Sequence, residues 1–179
     1  DNTEFGWRSQ TAWRFFEFSM RNHLPLVLTF SASDPTCGAG LQADALTIAA
    51  LGAHPLSILT GWTSQNTQGV EQFTPLPGKA VASQFDVLYN DTLAPHAIKA
   101  GVLGSLAALR CVLRACELYP AAPLVLDPVR GSGRGDALGT DTLFKAMRTE
   151  LFAHTRVLTR GGKMGGALLG GWLDQGVAD

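Results

Sequence analysis

Five side chains able to hold a small polar ligand stand at the ends of apolar runs: Asp34, Asp44, Gln65, Asn66 and Asp127. Asp34 and Asp44 flank the stretch Ser31-Ala-Ser-Asp-Pro-Thr-Cys-Gly-Ala-Gly-Leu-Gln-Ala-Asp44, which follows the apolar run Leu24–Phe30 and enters the helix-like Ala45–Gly52. Strand, glycine-rich turn, helix is the arrangement by which an α/β domain brings a ligand to its backbone amides. Gly38, Ala39 and Gly40 are small enough for that approach. The turn carries neither G-x-G-x-x-G nor a Walker lysine. A carboxylate accepts hydrogen bonds, whereas the amide of Gln65 both donates and accepts. Each residue also has a plain structural reading. Asp44 suits a helix terminus through capping or the dipole, and Gln65 suits a solvated loop. Cys37 has no histidine close in sequence and is not read as a nucleophile.

The elements that must position these groups alternate. Strands are expected at Leu24–Phe30, Leu56–Thr60, Ala97–Leu103, Pro123–Asp127 and Arg156–Thr159, with a short one at Gly69–Thr74. Helices are expected at Gln42–Leu51, closed by Gly52, and at Lys79–Leu93, Ser105–Tyr119 and Thr140–Phe152. Gly61–Gly69 reads as the loop after the second strand. Strands apolar along their whole length, alternating with helices, predict a parallel sheet covered on both faces. Ligands of such sheets lie beyond the carboxyl ends of the strands, where the polar residues collect.

The 179 residues suit one globular domain. With 46% hydrophobic and 16% charged residues, most of the length is expected to fold. A formal charge of −1 and the lack of basic runs argue against nucleic acid or an anionic membrane as partner. No apolar run is long enough to span a bilayer. Cys37, Cys111 and Cys116 form neither an even disulfide set nor a zinc motif, so buried thiols in a reducing cytoplasm are expected. Residues 1–19, rich in Trp and Phe, read as an extension, and residues 20–179 as the domain.

Several segments together resemble the hydroxymethylpyrimidine/phosphomethylpyrimidine kinases, the thiamin-pathway branch of the ribokinase-like family. The turn with Gln-Ala-Asp44, Thr63-Ser-Gln-Asn-Thr67, Lys99-Ala-Gly-Val-Leu-Gly104 and Val125-Leu-Asp-Pro-Val129 occur in the family's order. The resemblance implies a ribokinase-like α/β sandwich with a parallel sheet and helices on both faces. It implies ATP-dependent phosphorylation of 4-amino-5-hydroxymethyl-2-methylpyrimidine and of its monophosphate. By the same resemblance Asp44 and Gln65 hold the pyrimidine, Ala32, Val102 and Val129 line its pocket, and Asp127 faces magnesium and the phosphates. One carboxylate bridging a hard cation to phosphates is ordinary magnesium chemistry. Relatives are often homodimers, which sets a homodimer as the expectation.

Departures accompany the match. Ala32 stands where many relatives carry glycine, and Cys37 replaces the first glycine of Gly-Gly-Ala-Gly. Thr159-Arg-Gly-Gly-Lys-Met164 lacks the family's Thr-Pro-Asn-x-x-Glu. The family's anion hole and general base belong after Asp179, so the domain is expected to be incomplete on its C-terminal side and no catalytic base is assigned. A noncatalytic pyrimidine-binding module and another ribokinase-like kinase, such as one acting on pyridoxal, are the alternative expectations.

Overall fold

The computed structural model describes residues 24–91, 93–132 and 135–159. The extension 1–19 and the glycine-rich stretch after Thr159 lie outside the described residues, as do Gly133 and Arg134 of the Ser132–Asp136 loop.

Apolar runs become strands β1 (Leu26–Ser33), β2 (His54–Asn66), β3 (Gly69–Pro75), β4 (Ala97–Ala100), β5 (Leu124–Leu126) and β6 (Thr155–Leu158). They form one sheet in the order β3-β2-β1-β4-β5-β6. All neighbours run parallel except β2 and β3, which are antiparallel. The helices are α1 (Gly40–Ala50), α2 (Gly78–Asn90), α3 (Leu106–Leu118) and α4 (Asp141–Ala146). The last continues through a π turn at Met147–Leu151 and a 3-10 turn at Phe152–His154.

Alternation along β1 divides the two faces, because successive side chains point opposite ways. Phe30 turns to the α2 side, its ring centroid 6.0 Å from that of Phe85. Thr29 turns to the other face, where its hydroxyl meets Asp44 of α1. The core lies on the α2 side. Leu28, Phe30, Ile98, Leu124 and Leu126 are buried against Val81, Phe85, Leu109, Val112, Leu143, Met147 and Leu151. Leu143 and Phe144 of α4 and Met147 and Leu151 of the π turn, apolar at helical spacing, all face inward. Ser105 and Thr140 cap α3 and α4, their hydroxyls accepting from the amides of Ala108 and Leu143.

Two expectations are corrected. Gly61–Asn66 is strand, not loop, and pairs antiparallel with β3. Gly61 permits this, since a Cβ there would lie 2.7 Å from the Thr74 carbonyl oxygen and 2.8 Å from the Phe73 ring. Leu46 of α1 and Leu51 just after it face outward, 62% and 80% exposed. Cys111 and Cys116 are buried thiols, the latter pushed up to about 11 by burial first and by the Glu117 carboxylate second, whereas Cys37, expected to be buried with them, is exposed. No described helix is long and apolar enough to cross a membrane.

Phe85 is 1% exposed, faces Phe30 and Tyr89, and lies under the Arg114 guanidinium. Phe85→Ala is expected to cost about 3–5 kcal/mol, read as a lowered urea midpoint. A loss below about 1 kcal/mol would show that the α2 side is not the core.

Candidate active site

The glycine-rich turn is built around one carboxylate. Asp34 is 5% exposed, and its Oδ1 accepts from Thr36 N and Thr36 Oγ1, both at 2.8 Å. Its Oδ2 accepts from Ala39 N at 2.9 Å. Burial alone would raise the Asp34 pKa. Hydrogen bonds from the Gln65 side chain, from Thr36 and from Ala39 N outweigh it and hold the carboxyl below its ordinary value. Gln42 ties the turn to α1: its Oε1 accepts from Asp34 N at 2.9 Å and its Nε2 donates to Ser33 Oγ at 2.6 Å.

Gly40 opens α1 with φ of +64°, and a Cβ there would lie 2.4 Å from the Ala32 carbonyl oxygen. Only glycine lets the helix start this close to β1. Cys37 also adopts the left-handed region, at φ 57°, where its Cβ is a steric cost. Cys37 is thus a strained residue in a turn that still closes, its amide donating to the Asp34 carbonyl at 3.0 Å.

The turn forms one rim of a cleft of about 540 Å³ at the carboxyl ends of β1, β2, β4 and β5. Ala32, Gln65, Val102, Val129 and Asp127, all singled out from the sequence, line it. Ala32 forms part of the floor at 3% exposure. Gln65 comes from the β2–β3 hairpin, which stands above the sheet as the opposite wall with Thr63, Asn66 and Val70. Thr63 fastens that wall, its hydroxyl donating to the Ser33 carbonyl at 3.0 Å.

Asp44 stands elsewhere. It is not among the lining residues, and both its oxygens are engaged. Lys99 Nζ donates to Oδ1 at 2.5 Å and Thr29 Oγ1 to Oδ2 at 3.0 Å. One helical turn past Gly40, its side chain points down to the sheet, so it supports the cleft floor from behind. Lys99, which sequence reasoning passed over, takes the lining position and is the one cation among the described lining residues. Its signal was present: a lysine inside Ala97-Ile-Lys-Ala100 must find a partner when that strand is buried.

Asp127 ends β5, its amide donating to the Ala100 carbonyl at 2.8 Å. Burial raises its pKa; the Lys99 charge and a Thr159 hydrogen bond pull it down, and the Asp44 charge pushes it up, leaving it raised. No group of three or more His, Cys, Asp or Glu able to cage a metal occurs among the described residues. A lone carboxylate fits a magnesium ion that takes its other ligands from phosphates and water.

A family model described as phosphomethylpyrimidine kinase matches residues 34–169. The chain is 41% identical over 137 residues to the hydroxymethylpyrimidine/phosphomethylpyrimidine kinase of Streptomyces coelicolor, covering 75% of this chain and 49% of that one. It is 36% identical over 155 residues to the probable chloroplastic thiamine biosynthetic bifunctional enzyme of Oryza sativa, covering 87% of this chain and 28% of the other. Among solved structures it resembles the phosphomethylpyrimidine kinase of Clostridium difficile (TM-score 0.71, 29% identity, 82% of this chain and 63% of that one). It also resembles the pyridoxal kinase of Staphylococcus aureus in complex with pyridoxal (TM-score 0.70, 29% identity, 82% and 54%). The chain spans half or less of the length of these curated relatives.

Two pairs of substitutions test the site's construction. Cys37→Gly removes a left-handed strain of roughly 1–2 kcal/mol and adds glycine's entropic cost of roughly 0.5–1, for a net change between about 0 and a gain of about 1.5 kcal/mol. Gly40→Ala is expected to lose at least about 2 kcal/mol, since helix and strand must part. Thermal unfolding separates the two, and a neutral Gly40→Ala would refute the close approach. The carboxylates should respond to pH with opposite signs. The lowered Asp34 pKa stabilises the fold above the ordinary carboxyl value of 3.8, and that contribution is lost as pH falls through the folded value. Asp34→Asn should therefore be destabilising at pH 7 and near neutral in strong acid. The raised Asp127 pKa is a penalty at pH 7 that protonation relieves. Asp127→Asn should stabilise the chain at pH 7, with the gain fading as pH falls toward 3.8.

Proposed function

Because the chain belongs to the phosphomethylpyrimidine kinase family, we propose that it is the substrate-recognition part of a kinase of thiamin biosynthesis. The substrate in this reading is 4-amino-5-hydroxymethyl-2-methylpyrimidine and then its monophosphate, with ATP as phosphoryl donor. The observation that carries it is the cleft itself, where Ala32, Gln65, Val102, Val129 and Asp127 meet at the strand ends. Val102 and Val129 would sandwich the flat ring, and Ala32 would set the floor. The Gln65 amide, beside Asp34, would pair with the donor and acceptor atoms of the ring edge. Asp127 would hold magnesium, whose chemistry is to draw charge from the moving phosphoryl group. Buried thiols at Cys111 and Cys116 suit a reducing compartment, the cytoplasm in this reading.

The described lining residues are those that recognition of a polar ring and its oxygen end would use. The chain should therefore bind the pyrimidine. Calorimetric titration with the hydroxymethylpyrimidine is expected to saturate, and Gln65→Ala to weaken it about tenfold, the value of one or two lost hydrogen bonds. Pyridoxal titrated in parallel should bind more weakly. Preference for pyridoxal would move the chain to the vitamin B6 branch, and no binding by folded protein would refute the proposal.

A further inference from the structure

Lys99 has hydrogen-bonding capacity that its surroundings do not use. Its side chain rises from β4 beside Thr29, its register partner on β1, on the face that α1 covers. An ammonium carries three N–H donors and no acceptor, and the bond to Asp44 uses one of them. The Lys99 side chain is 25% exposed and lines the cleft; that of Asp44 is 14% exposed and does not. Gly101 stands beside Nζ without a side chain; a Cβ there would press on Ser31 Oγ at 2.7 Å and touch Nζ at 3.5 Å. The other charged lining residues, Asp34 and Asp127, are carboxylates, and the turn already occupies that of Asp34. An anionic or hydroxyl oxygen entering the cleft has one charged donor to meet.

Resting on the substrate reading above, we infer that Lys99 contacts the oxygen end of the substrate, the phosphate of the monophosphate above all, and that Asp44 is its positioning residue. Asp44 orders the flexible lysine before the ligand arrives, which lowers the entropy lost on binding. A phosphate oxygen reaching Nζ then gains a charge-assisted hydrogen bond that a neutral hydroxyl gains only in part. The same carboxylate offsets the ammonium's charge, so the cleft is not a general anion trap. Asp44→Asn keeps an acceptor for Nζ while removing that offset, and should tighten the monophosphate.

The test is calorimetry of the chain with the hydroxymethylpyrimidine and with its monophosphate, in wild type, Lys99→Met, Lys99→Arg and Asp44→Asn. Lys99→Met should weaken the monophosphate at least tenfold and the alcohol less than threefold, with Lys99→Arg restoring most of the difference. Asp44→Asn should hold the alcohol within threefold and bind the monophosphate more tightly. Equal losses for both ligands in Lys99→Met, or an alcohol affinity abolished by Asp44→Asn, would overturn the inference while leaving the substrate reading intact. Wild type that binds neither ligand overturns both. Should Lys99→Met fail to fold, wild type labelled with carbon-13 at lysine Cε answers the question, since the sequence has four lysines. With Lys99→Arg assigning the signal, it should shift with monophosphate and much less with alcohol; an unmoved signal refutes the contact.

Discussion

The cleft depends on Asp34, whose carboxylate closes the glycine-rich turn and whose backbone amide ties that turn to α1. The carboxylate accepts from the amides of Thr36 and Ala39 in its own turn, the Asp34 amide donates to Gln42 on α1, and the Gln65 side chain on the far wall helps to lower the carboxyl's pKa. A carboxylate at 5% exposure costs several kcal/mol unless its lone pairs are filled. Here the cost is met by groups that would otherwise be unpaired ends of a turn and a helix. Such satisfied networks impose a geometry because each partner's alternative is an unpaired buried group. The geometry of this rim is set by those hydrogen bonds and not by its apolar content.

A second charged group sets the floor. The Asp44–Lys99 pair crosses from helix to sheet on the face opposite the main core, with the Thr29 hydroxyl as its third member. The two sheet faces therefore work differently. The α2 side is closed by Phe, Leu, Ile and Met side chains, whereas the α1 side beneath the cleft is closed by an ion pair. Further along that same face, Val125 and Val157 continue the row of Lys99 on β5 and β6, and Val157 is 48% exposed. Placing charge under the cleft and hydrocarbon behind it separates the work of binding from that of folding.

Legibility in the sequence followed how local each feature is. The alternation of strands and helices, the inward row of α4 and the cluster of polar residues at strand ends could all be read from spacing. Five of the six expected site residues line the cleft because each sits at a strand end, where topology decides the position. Asp44 is set apart from the lining because it lies within a helix, where a rotation of about 100° per residue decides which way a side chain points. The upper half of β2 was read as loop because Thr63-Ser-Gln-Asn66 has no apolar alternation; it faces cleft and solvent, and only its pairing with β3 makes it strand. The outward Leu46 and Leu51 escaped for a related reason: periodicity shows that a helix has an apolar side, not what that side meets.

Strand β2 changes allegiance along its length. Its lower part is in register with β1, from His54 to Trp62, and its upper part with β3, from Gly61 to Asn66. The crossing falls at Gly61 and Trp62, just where the strand leaves the core. One wall of the cleft is thus a cantilever, clamped in the buried sheet and free at its tip. Changes of length or sequence at Asn66–Gly69 would leave the clamped part undisturbed. A lineage could revise which ring the cleft admits by editing that tip, with little debt to the stability of the domain beneath it.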